Sequence, residues 1–271
     1  MKIKFYKMMA SGNDFIVIDN RAGIVKQPKK LVKKLSPRRT SVGADGVLLM
    51  EPSAQYDIKM RIVNADGSEA EMCGNGARCA ALFSHTFLGC GKEFAVETLA
   101  GPIQACVGKK TIKIKLSDPS DYRDISPIEV SDGIFYFYFI NTGVPHVVIF
   151  EETIDAFPVK KIGHEIRHHS HFEPQGTNVN FVRILDAGHI EIRTYERGVE
   201  DETLACGTGS TASAIVSALV GKCSSPIEVR TYGGERLKVS FDQHMYDIRN
   251  VYLEGKAQFI YEGTIDTGTA D

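Results

Sequence analysis

The chain has 271 residues, of which 43% are hydrophobic and 24% charged, a composition typical of a folded globular protein rather than a disordered one. Its formal net charge of −2 gives no field that would attract nucleic acid, and its longest apolar run, seven residues at Ile134–Ile140, is far too short to cross a bilayer. We therefore expect a globular protein of about two domains that binds neither nucleic acid nor membrane.

The N-terminal residues and the cysteines indicate where the protein works. The first fifteen residues alternate like a strand and lack the apolar segment and cleavage site of a secretory signal. Six cysteines are few for this length, and a reducing compartment would keep them as thiols rather than as a disulfide framework. The sequence predicts a cytoplasmic protein.

Strand patterns bounded by Gly, Pro, Asn or Asp dominate the first half of the chain. The predicted strands are Ile3–Lys7, Phe15–Asp19, Val47–Met50, Asp57–Val63, Phe94–Thr98 and Thr111–Leu116. A short basic helix is predicted at Lys29–Leu35, behind Pro28, and a longer helix at Asn75–Leu88, ending at Gly89. The segment Ser117–Pro127 is polar and predicts turns, so we place a domain boundary there.

The second half repeats this order of elements. Its predicted strands are Gly133–Asn141, Val147–Phe150, Val179–Leu185 and His189–Tyr195, followed by a helix at Thr208–Val220 that ends at Gly221. A last strand pattern, Glu254–Tyr261, fits either sheet. The predicted domains are residues 1–117, possibly completed by 254–271, and residues 118–253.

Two pairs of segments suggest that the halves arose by duplication. SGNDFIVI, which begins at Ser11, aligns with TGVPHVVI, which begins at Thr142, and EAEMCGNG, which begins at Glu69, aligns with ETLACGTG, which begins at Glu202. The spacing agrees as well, because Gly12 lies 61 residues before Cys73 and Gly143 lies 63 residues before Cys206. Paired anchors at nearly equal spacing predict two similar domains.

Each predicted repeat has a cysteine and two glycines directly before a helix. The segments are Cys73-Gly74-Asn75-Gly76 and Cys206-Gly207-Thr208-Gly209. Glycine lets the backbone approach a ligand, and the free N–H groups of a helix N-terminus bind a carboxylate. A thiol at this position lies at the positive end of the helix dipole, which favours the thiolate and makes it a usable base.

One thiol in each half suits the inversion of a carbon centre. A carbon next to a carboxylate is inverted when a base removes its proton from one face and an acid returns a proton to the other face. A nucleophilic cysteine would need one thiol with an activating histidine and would leave the second thiol without a function. The pair therefore favours two-base proton transfer.

With these features assembled, the sequence resembles the diaminopimelate epimerase family. The segments that carry the resemblance are NADGSEAEMCGNGARCAA, YERGVEDETLACGTGSTASA and the SGNDF segment near the N-terminus. The resemblance implies an isomerase that interconverts LL- and meso-2,6-diaminopimelate in lysine and peptidoglycan precursor biosynthesis, without pyridoxal phosphate or any other cofactor. It also implies an α/β (α+β) fold of two pseudo-symmetric domains, each a β-sheet wrapped around a central helix, and a homodimer.

The resemblance assigns roles to individual residues. It implies that Cys73 and Cys206 are the acid and the base. Four residues would hold the reacting carboxylate: Gly74, Asn75, Gly207 and Thr208. Five would contact the amino groups and the distal carboxylate: Asn13, Asn64, Asn178, Glu196 and Arg197. His146 and Glu196 would adjust the thiol pKa values.

Two positions depart from the family pattern. Val144 stands where many members have a ligand-contacting Asn, and Gly46 stands where many have Gln. The resemblance implies that both positions contribute to recognition of the distal end of the substrate, so we expect the chain to tolerate other amino acids, such as glutamate, better than a stricter relative does.

Within the same fold, proline or hydroxyproline racemases and an isomerase of phenazine synthesis remain open, although the first differ in motif context and the last lacks the thiol pair. Two further alternatives come from other classes of protein. His164, Glu165 and His168 form an H-E-x-x-H pattern, which in zinc proteases binds the metal and activates water. The pattern lies in a short, very polar segment, which favours a surface helix, and we predict no metal site. The other alternative is a non-catalytic module that binds an amino acid, although binding alone would not need two matched thiols.

Overall fold

The computed structural model describes residues 2–266, which form four α-helices, a short 3-10 helix and eighteen strands. By its contacts the chain divides into two compact units. The first contains the described residues up to Ile114 together with those from Gly255 onward, and the second is Lys115–Glu254. That residues 1–117, possibly with 254–271, and residues 118–253 are separate domains stays a prediction.

The first unit contains two helices and most of the strands of the N-terminal half. Its helices are α1 (Pro28–Leu35) and α2 (Gly74–Phe87). Its strands are β1 (Lys2–Ala10), β2 (Asn13–Asp19), β3 (Gly46–Glu51), β4 (Ile58–Asn64), β5 (Glu69–Ala70), β6 (Glu93–Thr98), β7 (Gly101–Val107), β8 (Ile112–Lys115, which ends one residue beyond the unit) and the C-terminal β18 (Gln258–Asp266).

The pairing of these strands starts from a tight hairpin. Ser11 and Gly12 both have positive φ, 52° and 83°, and Ala10 pairs with Asn13, so the β1–β2 connection is a two-residue turn of the type that matches strand twist. Strand β2 then runs parallel to β3, β3 pairs antiparallel with β4, and β1 also pairs with β18. The hairpin places Ser11 and Asn13 next to each other at one end of the sheet.

Helices cover both faces of this sheet, which explains why its central strands are buried without alternation. One face packs on α1 through a core that includes Ile16, Val47 and Leu49. The other face contacts α2, which touches β1, β2, β3, β4 and β7 and is buried over most of its length. Strands covered on both faces read as continuous apolar runs, as in GVLLM of β3.

The second unit has the same kinds of element. Its helices are α3 (Val159–Arg167) and α4 (Gly207–Leu219), and its 3-10 helix is Ser170–Phe172. Its strands are β9 (Ser120–Val130), β10 (Gly133–Asn141), β11 (Pro145–Phe150), β12 (Asn178–Asp186), β13 (His189–Glu196), β14 (Asp201–Thr203), β15 (Ile227–Arg230), β16 (Arg236–His244) and β17 (Asp247–Gly255, which ends one residue beyond the unit).

The strand pairings of the two units correspond to one another. Strands β2 and β3 are parallel with Phe15 opposite Gly46, and β11 and β12 are parallel with His146 opposite Asn178. Antiparallel β3–β4 has its counterpart in β12–β13, and parallel β4–β6 in β13–β15. Helix α4 contacts β10 to β13 much as α2 contacts β1 to β4. Equal topology at matched register supports the predicted duplication, and the predicted fold class is confirmed.

The structure corrects two secondary-structure predictions. The segment Ser117–Pro127, predicted as turns, contains most of β9, which pairs with β10 along its length although only Ile128 is buried. The predicted last strand, Glu254–Tyr261, is two strands, because the chain leaves β17 at Gly255 and begins β18 at Gln258. Backbone pairing holds β9 in a strand whose side chains carry little apolar pattern.

Among the described residues, no helix is long and apolar enough to cross a membrane.

Candidate active site

Cys73 is the N-cap of helix α2, directly before its first residue. Its backbone is extended, with φ −146° and ψ 118°, and its Sγ accepts a hydrogen bond from the N–H of Gly76 at 3.4 Å. Serine or aspartate usually caps a helix in this way through oxygen. Here sulfur takes that place, so the thiol lies among the free N–H groups at the start of a buried helix.

Cys206 has the same position on helix α4. Its backbone is extended, with φ −121° and ψ 116°, and its Sγ accepts from the N–H of Gly209 at 3.3 Å. The Sγ also lies 3.4 Å from the hydroxyl of Thr208. Cys206 is 6% exposed, so its thiol has little contact with water. Both cysteines are placed directly before helices, as predicted.

In the first unit, a chain of hydrogen bonds joins the start of α2 to the β1–β2 hairpin. Asn75 donates its amide N–H to Oδ1 of Asn13, and accepts at its own Oδ1 from the guanidinium of Arg78. Arg78 also donates to the hydroxyl of Ser11 and is completely buried. Two predicted ligand residues, Asn13 and Asn75, are therefore in direct contact next to Cys73.

An ion-pair cluster fixes the other side of Asn13. The Asn13 amide donates to Oδ2 of Asp45 at 3.1 Å, and Arg38 bridges Asp45 and Asp14. Burial alone would raise the pKa of the Asp14 carboxyl, but hydrogen bonds from Arg38 and Lys7 outweigh it and hold that pKa at about 2. Asp14 is therefore ionised at neutral pH, and the loop that carries Asp45 is tied to the start of β2.

The remaining predicted residue of the first unit, Asn64, is the last residue of β4 and lies opposite Gly46. Its amide donates to the hydroxyl of Ser68 at 3.0 Å. A Cβ at Gly46 would lie 2.9 Å from the carbonyl oxygen of Val63, so a larger residue at this position requires a shift of the backbone.

Three predicted residues of the second unit meet where β12 begins and β13 ends. Asn178 donates its amide N–H to the carbonyl of Pro145 at 3.0 Å and accepts from the backbone N–H of Arg197 at 2.9 Å. Glu196 is the last residue of β13 and is half-buried. The Arg197 guanidinium donates to the carbonyl of Gln175 at 3.1 Å, which leaves most of its donors for other partners.

His146 lies in β11 opposite Asn178 and is completely buried. Burial lowers the pKa of its imidazole to about 3, with a further contribution from the nearby charge of Arg197. The imidazole is therefore neutral at physiological pH. Near it, the hydroxyl of Thr142 donates to the carbonyl of Thr208 at 3.1 Å and ties the β10–β11 connection to the first turn of α4.

Sequence reasoning missed four residues that hold the predicted ones in place: Ser11, Asp45, Arg78 and Asn180. Asn180 donates to Nδ1 of His146, and the other three support Asn13 and Asn75. Two of them had a detectable signal, because Arg78 interrupts the apolar run in the middle of α2 and Asn180 interrupts the apolar run of β12. A buried polar residue in an apolar run needs a partner, although the sequence does not name that partner.

The H-E-x-x-H pattern forms no metal site among residues 2–266, where no group of three or more potential metal-binding side chains occurs. Glu165 accepts from the backbone N–H and the hydroxyl of Ser131, at 2.8 Å and 2.7 Å. The His164 ring packs against His168 and Tyr195. The segment is part of α3, with His168 as its C-cap, and the zinc-protease alternative is not supported.

Known structures share this fold over nearly its full length. A PhzF-family phenazine biosynthesis protein from Bacillus anthracis superposes with a TM-score of 0.75 at 16% identity, covering 98% of this chain and 99% of the other. A hydroxyproline epimerase from Agrobacterium vitis superposes with a TM-score of 0.67 at 15% identity, covering 97% and 91%. The fold is thus one that is shared by racemases, epimerases and PhzF-type proteins.

The comparison of sequences is more specific. The diaminopimelate epimerase model matches residues 5–119 and 138–260. Diaminopimelate epimerases from Hydrogenobaculum sp. and Chlorobaculum tepidum are 44% and 43% identical to this chain. The alignments cover 96% and 95% of this chain and 97% and 99% of the two relatives. The chain belongs to the diaminopimelate epimerase family and is an isomerase; the alternative of a non-catalytic binding module is not supported.

Proposed function

We propose that this chain interconverts LL-2,6-diaminopimelate and meso-2,6-diaminopimelate by removing a proton from an α-carbon and returning one to its opposite face. The observation that carries the proposal is the matched pair of cysteines, each of which caps a buried helix and accepts an N–H at its sulfur. Family membership supports the substrate. The product serves lysine and peptidoglycan precursor biosynthesis.

The proposed chemistry balances within the two thiols. One cysteine, as a thiolate, takes the α-proton and becomes a thiol, while the electron pair of the C–H bond moves onto the α-carbon and its carboxylate. The other cysteine, as a thiol, gives its proton to the α-carbon and becomes a thiolate. N–H donation to sulfur and the positive helix end stabilise the thiolate form. The helix N–H groups that would hold the carboxylate stabilise the charge that moves onto it, and we propose that no cofactor such as pyridoxal phosphate takes part.

The surrounding residues suit the two ends of an amino-acid substrate. N–H groups at the starts of α2 and α4, at Gly74, Asn75, Gly207 and Thr208, would bind the reacting carboxylate. Arg197 has free donors for a second carboxylate, and Glu196 accepts from an ammonium group. Asn13, Asn64 and Asn178 already have protein partners, yet each amide keeps one N–H for a ligand.

The setting of the enzyme belongs to the same proposal. We place it in the cytoplasm, where the thiols stay reduced. We propose a homodimer, on the basis of the family resemblance.

The deciding experiment is incubation of the purified protein with LL-diaminopimelate in heavy water, without added cofactor. We expect meso product that carries deuterium at the inverted carbon. Cys73→Ala and Cys206→Ala should each lower the rate of inversion by at least about 10²-fold, because each removes one proton-transfer group.

Cys106→Ala is the matched control, because Cys106 is half-buried on β7 outside both helix starts. It should keep the parent rate. Inversion by Cys206→Ala at the parent rate, or a requirement of the parent enzyme for pyridoxal phosphate, would contradict the two-thiol mechanism.

Substrate breadth is a separate part of the proposal. Val144 and Gly46 offer no polar group to the distal end of the substrate, so we expect measurable racemisation of glutamate. Comparison of kcat/KM for LL-diaminopimelate and L-glutamate tests this, and no detectable turnover of glutamate would refute it. A Val144→Asn variant should restore distal contacts and lower any turnover of glutamate relative to that of diaminopimelate.

A further inference from the structure

The two helix starts have the same backbone arrangement but different side chains behind them. In the first unit, a Cβ placed on Gly76 would meet Leu48 at 3.4 Å and Phe15 at 3.7 Å. In the second unit, a Cβ placed on Gly209 would meet Oδ1 of Asn180 at 2.3 Å. An apolar support lies behind Gly76, and a polar one lies behind Gly209.

The sheet registers show that these supports are equivalent in position. Leu48 pairs with Ile62 across β3 and β4, and Asn180 pairs with Thr194 across β12 and β13. Phe15 and His146 hold the same place in the parallel pairs β2–β3 and β11–β12. The apolar set Phe15, Leu48 and Ile62 is thus replaced in the second unit by His146, Asn180 and Thr194.

The hydrogen bonds of Asn180 fix the orientation of its carboxamide. Its Nδ2 donates to the carbonyl of Val147 at 2.8 Å, and its Oδ1 accepts from the hydroxyl of Thr194 at 3.0 Å. The second hydrogen on Nδ2 is directed at Nδ1 of His146, at 3.2 Å. Because an N–H must meet a lone pair there, Nδ1 carries no proton and the proton of the neutral imidazole is on Nε2.

The same carboxamide lies against the residue that donates a hydrogen bond to the second thiol. Asn180 Oδ1 lies against Gly209, and the N–H of Gly209 is the donor to the Cys206 sulfur. Asn180 is completely buried and so are His146 and Thr194, to within 2% exposure. In this dry environment each hydrogen bond is held strongly and no water competes for it.

We propose that Asn180 is a positioning residue for the epimerisation: its carboxamide holds His146 in the tautomer protonated at Nε2 and supports Gly209 against the Cys206 thiol. The inference rests on the proposed function, since it concerns how one of the two thiols is prepared. The fold itself does not require an amide at this place, because Leu48 and its apolar neighbours support Gly76 in the first unit. A buried amide that costs desolvation is retained for what it orients.

The tautomer is tested without reference to catalysis. The protein is labelled with 15N at its eight histidines, and the His146 signals are assigned by their loss in a His146→Phe variant. We expect a neutral imidazole at pH 7 with a protonated Nε2 and an unprotonated Nδ1. In Asn180→Leu, which places here the residue type found at position 48, both tautomers should be populated. In Asn180→Asp, a carboxylate facing Nδ1 should move a proton onto Nδ1.

The kinetic arm separates positioning from substrate binding. Asn180→Leu and Asn180→Asp should lower kcat by roughly 10²-fold, which is the low end of the effect of misplacing an acid–base group. Both variants should change KM little, because Asn180 does not contact the substrate. The pH profile of kcat should shift in Asn180→Asp, where the imidazole gains a carboxylate neighbour. The charged group that otherwise influences His146 is Arg197, which all of these variants retain.

Asn20→Ala is the matched control for loss of a buried amide. Asn20 is 3% exposed, donates to Glu51 at 2.8 Å and accepts from the N–H of Val25 at 2.8 Å, all within the first unit. Asn180→Ala and Asn20→Ala should both lower stability, but only Asn180→Ala should alter the His146 tautomer and kcat.

The outcomes are distinct. A parent His146 protonated at Nδ1, or Asn180 variants with parent tautomer and parent kcat, would overturn the positioning role. A parent enzyme without epimerase activity would refute the proposed function, while the tautomer measurement would still decide the structural part of the inference. A changed tautomer together with a lowered kcat and an unchanged KM supports it.

Discussion

Gly76 and Gly209 show how one atom distinguishes two equivalent helix starts. Each donates its N–H to the cysteine three residues before it, but the space for a side chain differs. A Cβ on Gly76 would lie 3.4 Å from Leu48, whereas a Cβ on Gly209 would lie 2.3 Å from Oδ1 of Asn180. The overlap of this added Cβ with a buried oxygen cannot be relieved without moving either Asn180 or the helix. The N–H that reaches the Cys206 sulfur would move with it.

We therefore predict that Gly209→Ala is far more harmful than Gly76→Ala. Gly209→Ala should lower the free energy of unfolding by about 1–3 kcal/mol, as overpacking does, and reduce kcat as well. Urea unfolding and initial rates measure both. The double variant Gly209→Ala/Asn180→Ala should recover stability relative to Gly209→Ala, because it removes the clashing oxygen. Equal effects of the two single alanine variants would contradict this explanation.

The buried imidazole of His146 makes stability depend on pH. Its pKa is lowered to about 3, below the ordinary value of 6.5, so between these values the unfolded chain binds a proton that the folded protein does not. This contribution to stability is therefore present above pH 6.5 and is lost as the pH falls toward 3, with a slope of at most about 1.4 kcal/mol per pH unit.

The prediction is tested with His146→Phe, which places here the residue type found at position 15. Its free energy of unfolding should lack this part of the pH dependence. Urea unfolding measures the free energy of unfolding of both proteins. As the pH falls from 6.5 to 5, the parent should lose up to about 2 kcal/mol more of this free energy than the variant does. Parallel pH curves for the two proteins would show that His146 is not held neutral.

At the scale of elements, one buried side chain joins helix α2 to the β1–β2 hairpin. Arg78 lies within an apolar helix, and its guanidinium donates to Ser11 and to Asn75, while its Nε lies 3.4 Å from the carbonyl oxygen of Gly74. In the second unit the corresponding position on α4 is Thr211, whose hydroxyl bonds only within its own helix, to Gly207. The second helix start is tied to the equivalent β10–β11 connection by a different contact, from the hydroxyl of Thr142 to the carbonyl of Thr208.

We predict that Arg78→Met, which keeps most of the side-chain volume, lowers the free energy of unfolding by about 3 kcal/mol, since two hydrogen bonds from a buried cation are lost. It should also raise KM, because Asn75 and Asn13 lose their fixed orientation. Arg21→Met is the control: Arg21 pairs with Asp19 at the surface, where such a pair contributes about 0–1 kcal/mol. Similar losses in both variants would argue against a special role of Arg78.

Strand β9 illustrates where element prediction fails. Strand β10 was predicted with its observed bounds, Gly133–Asn141, because an apolar aromatic run between Gly and Asn is a strong local signal. Its partner β9 is mostly exposed and rich in Asp and Ser, so its sequence is typical of turns. Pairing with β10, not side-chain pattern, makes it a strand, and pairing is invisible in a local window of sequence.

At the scale of the whole molecule, the sequence by itself determined the duplicated order of elements and the place of each cysteine before its helix. These features are local, because a helix cap is decided within four residues and an apolar period within one element. The family was recognisable from the same two segments, and the comparisons confirm it.

Only the tertiary structure decided how the site residues are held. The contacts of Arg78 with Ser11 and of Asn180 with His146 join residues 67 and 34 positions apart, and no local pattern specifies such partners. They are set by which strand lies beneath which helix, so the sequence alone does not show that a polar set lies behind Cys206 and an apolar set behind Cys73. Burial then keeps the His146 imidazole neutral and favours the one orientation of each side chain that satisfies its partners, because an unpaired buried polar group is costly.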